Sequence, residues 1–178
     1  MQAVAQWIDR INAWIGRAVA WFTLGMVLVT FLIVVLRYAF ATGSIALQES
    51  VTWMHAAVFM LGAAYALGRE GHVRVDIFYR GFSPRSRAWV NLLGTLFFLW
   101  PMFGFVLWSA WGYVAASWAV HEASPEAGGL PGVFLLKTVI LVMAVQMLSQ
   151  GLVTVANAIG VLRGGEGRFP PADAEVEV

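Results

Sequence analysis

The sequence predicts an all-α membrane protein in which one domain of four transmembrane helices occupies residues 1–165. Three observations lead to this fold class. The 178 residues are 60% hydrophobic and only 12% charged, which is too apolar for an ordinary soluble domain. Four apolar runs reach the length of about 20 residues that a spanning helix needs. The connections between these runs leave no room for a soluble catalytic domain.

The first span is predicted at about residues 18–38, after an amphipathic segment of residues 1–17. Charged residues interrupt this segment, but its apolar residues recur every three or four positions, which is typical of a helix at the membrane interface. A secretory signal peptide is the alternative, but the apolar run is too long and no small-residue cleavage site follows it. The recurring residues are Trp7, Ile11, Trp14, Ile15 and Ala18.

The second and fourth spans each follow a short connection that contains glycine. The second is predicted at about residues 47–67, after ATGS, and the fourth at about residues 131–162, after GGLP. Glycine suits a tight turn at such positions. The remaining polar tail, residues 166–178, is predicted to be disordered and cytoplasmic.

The third span is predicted at about residues 84–118 and is longer than a bilayer requires. Ser83 has the right chemistry for an N-cap, and Pro84 suits the first helical position because its missing amide hydrogen costs nothing there. Pro101 lies near the middle of the run and removes one backbone donor. We therefore expect a kink close to Pro101.

The distribution of basic residues predicts the orientation of the domain. The loop HEASPEAGG between spans three and four has no Lys or Arg, whereas the segment between spans two and three has five arginines. The positive-inside rule therefore places that segment and both termini in the cytoplasm. Arg37 and Lys137 are exceptions, because each lies near the outer surface. The five arginines are Arg69, Arg74, Arg80, Arg85 and Arg87.

The cytoplasmic segment GHVRVDIFYRGF has an ambiguous pattern. Its apolar residues alternate as they would in a strand. A lone strand at a membrane surface would leave its backbone groups unpaired. We therefore expect a short amphipathic surface helix that begins near Asp76.

Polar groups that could carry chemistry are scarce inside the predicted spans. No charged residue occurs between Val90 and Val120 or between Thr138 and Leu162. Gln146 and Gln150 lie four residues apart, on one face of span four. They could line a polar path, but interhelical hydrogen bonds are the favoured interpretation.

The histidines do not form a pattern that would bind a cofactor. His55, His72 and His121 fall at different membrane depths, so no two of them can clamp a haem between helices. The chain also has no Cys, which excludes thiolate ligands. His55 is expected to be a neutral, hydrogen-bonded residue that faces another helix. We expect no cofactor.

Tryptophans form a regular series in span three. Trp89, Trp100 and Trp111 are spaced by eleven residues, and Trp118 follows seven later. Each step of eleven rotates the position by only about 20° in a straight helix, so these side chains would share one stripe. The stripe would be either a docking face for another membrane subunit or a ridge that faces lipid.

Several short motifs occur in order across residues 15–160, and together they resemble the small membrane subunit of TRAP transporters, the DctQ family. The family carries an acidic pair at the start of its second span, where this chain retains one carboxylate. The matching motifs are Arg37-Tyr38, Gln48-Glu49, Gly62-Ala63-Ala64, the run HVRVD from His72 to Asp76, and LPGVFLLK, which ends at Lys137.

The resemblance implies a non-catalytic small permease subunit of a sodium-coupled, binding-protein-dependent transporter for organic acids in the bacterial inner membrane. Its implied partners are a large TRAP membrane subunit, a periplasmic solute-binding protein and membrane lipids. The large subunit would carry the substrate and sodium sites, and the small subunit would brace its scaffold. No catalytic, metal or nucleic-acid site is expected in this chain.

Two other functional classes remain open. An independent small transporter or channel would need Gln146, Gln150 or His55 to face a water-filled path. A membrane anchor of a redox enzyme would need His55 to bind haem or contact quinone. The spans offer few residues for either task.

Eight residues are predicted to be structural or subunit-interface positions. Arg37 and Glu49 lie at the same outer depth on consecutive helices and could pair, which would lower the cost of each charge. Either could instead meet the large subunit or extend to the membrane surface. The eight are Arg37, Tyr38, Glu49, His72, Asp76, Trp100, Trp111 and Lys137.

Overall fold

The computed structural model describes residues 2–69, 71, 79 and 81–164. A π-helical turn, Thr95–Leu99, joins the third helix to the fourth in one continuous rod. Within these described residues, four units are therefore long and apolar enough to cross a membrane, in agreement with the four spans predicted from the sequence. The helices are α1 Gln2–Ala39, α2 Ile45–Gly68, α3 Pro84–Gly94, α4 Trp100–Ala119 and α5 Val133–Leu162.

Helix α1 runs without a break through the amphipathic segment into the first apolar run. The sequence predicted an interfacial helix that leads into the first span, and the 38 residues form a single helix of about 57 Å. The polar side chains of Asp9 and Asn12 fit into this helix because they face Gln150 of α5. The predicted surface helix near Asp76, together with His72 and the tail, lies outside the described residues.

Side-chain caps and one glycine set the beginnings of the later helices. Ser44 accepts a hydrogen bond from the Leu47 amide at the start of α2, and Ser83 accepts one from Ser86 at the start of α3. Gly132 precedes α5 with φ +100°, a conformation that glycine adopts without a steric penalty. The Ser83 cap is the one that the sequence predicted.

The α3–α4 rod changes its helical winding immediately before Pro101. The Trp100 amide donates to the Thr95 carbonyl, five residues back, whereas an α-helix would use the fourth. Proline has no amide hydrogen and its ring crowds the carbonyl four residues earlier, so a widened turn relieves that contact. The extra residue in this turn also shifts the rotational register on its two sides.

Helix α5 is the centre of the domain. Helices α2, α3 and α4 all pack against α5, and α1 packs mainly on α2. The backbones of α1 and α2 approach closely where Gly16 meets Tyr65. The buried residues of α5 are Ala144, Gln146, Met147, Gln150, Gly151, Val153 and Ala158.

Helices α1 and α4 form the edges of an open arrangement. The described residues show no extensive packing between these two helices. Both expose large apolar side chains, which suits a surface surrounded by lipid or by another membrane protein. Examples are Trp14, Trp21 and Phe31 on α1 and Phe105, Trp108 and Trp111 on α4.

Candidate functional site

The polar side chains gather at the two ends of the domain. We call the end that carries the connections 40–44 and 120–132 the loop end, and the end where α1 begins and α2 and α5 finish the N-terminal end. Each end has its own set of hydrogen bonds. The predicted site residues that the structure describes are divided between the loop end and the middle of the α3–α4 rod.

Glu49 anchors the long connection at the loop end. One carboxylate oxygen accepts a hydrogen bond from the Ser124 hydroxyl, and the other accepts one from the Leu130 amide at 2.6 Å. Ser124 and Leu130 also bond to each other through their backbones. A Cβ atom at Gly129 would lie 2.9 Å from the carboxylate, so glycine permits the close approach. Glu49 therefore ties α2 to the α4–α5 connection.

Lys137 forms a second link at the loop end. Its ammonium lies 2.5 Å from the Glu122 carboxylate and 4.0 Å from the centre of the Tyr113 ring. The cation therefore contacts both a carboxylate and an aromatic face. The hydrogen bond from Lys137 lowers the pKa of Glu122 below its ordinary value. This pair joins the first turns of α5 to the end of α4.

Arg37 and Tyr38 are exposed at the end of α1. Tyr38 is 82% exposed, and Arg37 borders a groove between the end of α1 and the start of α2. Among the described residues, Arg37 and Glu49 do not form an ion pair, which was one of the alternatives that the sequence left open. Glu49 points its carboxylate at Ser124 and Leu130 instead, because two hydrogen-bond donors converge on it there.

A polar cluster joins three helices at the N-terminal end. The Asn12 amide donates to the side-chain oxygen of Gln150 at 2.8 Å, and Gln150 is buried. The Gln150 amide in turn lies 3.4 Å from a carboxylate oxygen of Asp9. A Cβ atom at Gly68 would lie 2.7 Å from this amide, so α2 contributes the space that the cluster needs. Gln150 forms interhelical hydrogen bonds, which is the interpretation that the sequence favoured.

Gln146 differs from Gln150 one turn away. Its side chain is 6% exposed, and neither amide atom has a hydrogen-bond partner among the described residues. His55, expected to face another helix, is instead exposed on α2. In the described part of the chain, no group of three or more His, Cys, Asp or Glu side chains could hold a metal ion.

The tryptophans of the third span do not share one environment. The Trp100 indole donates to the Leu148 carbonyl of α5 at 3.3 Å and packs over Gly151. Trp111 is 64% exposed. Both residues lie in α4, after the π-helical turn, and are about 17 Å apart along the helix axis. They therefore meet different surroundings at different positions along one helix. Trp100 therefore helps to hold the domain together, whereas Trp111 belongs to its surface.

Several partners in these clusters were not among the residues that the sequence singled out. Ser124, Glu122 and Asn12 each bond to a group far away along the chain. A signal existed for Glu122, since it is an acid in a loop with no Lys or Arg, close to the one lysine at the start of α5. Ser124 and Asn12 have no comparable signal.

The fold and its polar clusters define a small helical membrane protein whose polar side chains hold its helices and connections together. The chain matches the family described as "Tripartite ATP-independent periplasmic transporters, DctQ component" over residues 26–161. It belongs to that family, and the resemblance seen in its sequence is confirmed. No curated protein matches the chain, and neither does any solved structure.

Proposed function

We propose that this chain is the non-catalytic small permease subunit of a sodium-coupled TRAP transporter for organic acids and that it braces the scaffold of the large permease subunit. The family match carries the proposal. In this arrangement the large subunit binds the solute and sodium, and a periplasmic solute-binding protein delivers the solute. The loop end faces the periplasm of the bacterial cell, and both termini lie in the cytoplasm.

The physical argument for a brace rests on how the polar groups are used. Glu49, Lys137 and Gln150 each bond within the chain, and each bond joins separate helices or connections. Bonds of this kind stabilise a fixed shape. A rigid unit in the membrane suits a subunit that supports a moving partner.

The surface of α4 is the proposed contact with the large subunit. It exposes Phe105, Trp108 and Trp111, and large aromatic side chains are effective anchors in interfaces because they bury much area with few rotatable bonds. Trp100, which the sequence placed on the same stripe as Trp111, does not belong to this surface because it packs on α5.

Copurification tests the assignment to a transporter complex. The tagged chain would be extracted from its native host in mild detergent, and its partners identified by mass spectrometry. We expect a large polytopic permease in a stoichiometric amount. Recovery of this chain alone from several detergents would contradict the proposal.

A pair of double variants tests the α4 surface. We expect Trp108→Leu with Trp111→Leu to reduce recovery of the large subunit severalfold. The matched control is Trp14→Leu with Trp21→Leu, because these side chains are similarly exposed on the other edge helix. Equal recovery with both double variants would show that the α4 surface faces lipid.

The unpartnered amide of Gln146 is the one observation that favours an independent transport path. We propose that it is a feature of the core and not of a path. Gln146→Leu should therefore leave solute uptake by the assembled transporter unchanged. Loss of uptake, with normal amounts of the complex, would favour the independent-transporter interpretation.

A further inference from the structure

A groove of about 420 Å³ opens at the loop end, between the end of α1 and the start of α2. Its lining residues take no part in the clusters held by Glu49, Lys137 and Gln150. Its wall combines one cation, several small polar groups and an apolar part. The lining residues are Ile33, Leu36, Arg37, Ala41, Thr42, Gly43, Ser44, Leu47 and Gln48.

The charge of the groove is positive. Arg37 is the one charged side chain among the residues that line it, and no described residue forms an ion pair with Arg37. Glu49 is close in sequence, but both of its carboxylate oxygens accept hydrogen bonds from the α4–α5 connection. An anion in the groove would therefore meet a guanidinium that has no counterion among the described residues.

The uncharged polar groups lie in the connection beside Arg37. Ser44 brings a hydroxyl group, and Gln48 brings an amide that can donate two hydrogen bonds. The Thr42 hydroxyl donates to the Phe40 carbonyl and is not counted among these donors. The Ser44 oxygen accepts a bond from the Leu47 amide, so its own proton is free to be donated elsewhere. These donors, together with a planar guanidinium, match the oxygens of a phosphate group.

The apolar part of the groove lies along the helices. Ile33 and Leu36 precede Arg37 on α1 and Leu47 faces them from α2, and all three are partly buried. The groove therefore changes from cationic to apolar along the direction in which α1 enters the apolar core. An amphiphile with an anionic head and a hydrocarbon chain would fit this groove, with its head at the cationic end and its chain along the apolar part.

We propose that this groove binds an anionic phospholipid of the leaflet at the loop end, with its phosphate on Arg37 and an acyl chain along Ile33 and Leu36. The site goes beyond the proposed role in transport, because the chain needs no other subunit to form it. It gives the exposed Arg37 a partner in the membrane itself. The lipid would also fill the space between α1 and α2 at their open end.

Native mass spectrometry of the purified full-length chain tests the site. Delipidated protein would be titrated with phosphatidylglycerol, and we expect Arg37→Gln to weaken binding about tenfold or more, as loss of a charge-assisted hydrogen bond implies. Arg163→Gln is the matched control. Arg163 is an exposed arginine directly after α5, at the N-terminal end of the domain and far from the groove. Equal weakening by both variants, or by neither, would overturn the proposal.

A second variant keeps Arg37 in place. Gln48→Glu adds a negative charge to the lining, so it should also weaken the binding of phosphatidylglycerol while the arginine remains. Inorganic phosphate and glycerol phosphate are used as competitors, because they carry the phosphate of the head group without the acyl chains. We expect neither to compete at millimolar concentration, and efficient competition by either would show that the groove takes free phosphate and would overturn the lipid assignment.

The same variants distinguish lipid from a protein partner. If Arg37→Gln retained phosphatidylglycerol but lost the large subunit on copurification, Arg37 would serve a carboxylate of that subunit and the proposal would fail. Loss of phosphatidylglycerol by the isolated variant supports the proposal whether or not the transporter assembles. The lipid site and the proposed transport role can therefore fail separately.

Discussion

Glu49 shows why an apolar helix can carry a charge near its end. Its carboxylate lies in the second turn of α2, where the hydroxyl of Ser124 and the amide of Leu130 both donate to it. These two bonds replace the water that the carboxylate would lose on entering the membrane interface. The charge therefore fixes a connection in place.

Replacing Glu49 should loosen the α4–α5 connection. In Glu49→Gln the side chain loses its charge and presents an amide nitrogen where an acceptor is needed, so we expect faster hydrogen–deuterium exchange at Leu130 and a lower unfolding temperature in detergent. Glu126→Gln is the control, since Glu126 is an exposed acid of the same connection. Unchanged exchange at Leu130 in the Glu49 variant would show that the two bonds are unimportant.

The Glu122–Lys137 pair predicts a dependence of stability on pH. Because the pKa of Glu122 is lowered from its ordinary value of 4.5, the folded state is stabilised by this group above that value and loses the contribution as the pH falls through the lowered pKa. The wild-type chain should thus unfold at a higher temperature than Glu122→Gln between pH 6 and 8, and the difference should vanish in acid.

The control for this pH dependence is Glu126→Gln, which leaves the ion pair intact. Its unfolding temperature should follow that of the wild-type chain at every pH. A difference between wild type and Glu122→Gln that does not decrease as the pH is lowered into the acid range would mean that the substitution acts through packing instead of charge. Measurements at two salt concentrations would add a check, because an exposed pair weakens as salt increases.

Sequence reasoning located these charges but not their partners. It placed Arg37 and Glu49 at the same end of the domain because each adjoins the same short turn. It could not foresee Ser124 or Leu130, which lie 75 and 81 residues from Glu49 along the chain. Such contacts depend on how the α4–α5 connection folds back, and hydropathy patterns contain no information about that.

The α3–α4 rod shows a similar limit for a single helix. Pro101 correctly indicated a disturbance in the middle of the third span, since a missing backbone donor always interrupts the hydrogen-bond ladder. The sequence did not reveal that a π-helical turn at Thr95–Leu99 would relieve it. That turn changes the rotational register between Trp89 and Trp100, so the three tryptophans spaced by eleven residues do not lie on one straight helix. The sequence also did not show that Trp100 packs on α5 while Trp111, further along α4, is exposed.

Close packing of α1 on α2 predicts a strong effect at one glycine. A Cβ atom at Gly16 would lie 2.5 Å from Cβ and Cγ of Tyr65, and these atoms cannot move without shifting the helix. Gly16→Ala should therefore destabilise the domain by about 1–3 kcal/mol. Unfolding in a denaturing detergent would measure the difference.

Gly62 on α2 provides the matched control. Nothing lies within 4 Å of a Cβ atom built there, so Gly62→Ala should be neutral or should stabilise the helix by up to about 1 kcal/mol. Both variants make the same chemical change within a long helix. If both variants changed stability alike, the effect would come from helix propensity. The contact between Gly16 and Tyr65 would then not contribute to the stability of the domain.

The open arrangement of the four helical units explains why so much apolar surface remains exposed. Helix α5 contacts α1, α2, α3 and α4 and has the most buried residues, whereas α1 packs mainly on α2 and α5, and α4 packs mainly on α5, among the described helices. Composition and apolar runs predicted four spans, because the bilayer imposes a length and an apolarity on each. They did not predict which helix is central, since the most apolar unit is α1 and the central one is α5. The order of packing depends on contacts such as Gly16 with Tyr65 and Gly151 with Trp100.

The proposed orientation can be tested directly because the chain has no natural Cys. Ala3 and Ala127 are exposed alanines at opposite ends of the domain, so single cysteines there should not disturb the fold. In cells with an intact inner membrane, we expect a membrane-impermeant maleimide to label Ala127→Cys at once and Ala3→Cys only after the membrane is permeabilised. This follows from the positive-inside rule, since the arginines cluster toward the N-terminal end.

Each alternative labelling pattern has a distinct meaning. Labelling of Ala3→Cys alone would place the loop end in the cytoplasm, and the connection held by Glu49 and Lys137 would then be unable to face a periplasmic binding protein. Partial labelling of both variants would indicate two orientations in the membrane, which a subunit with a single fixed partner could not use. Only the predicted pattern places the groove beside Arg37 in the outer leaflet, where the lipid proposed for it would have to lie.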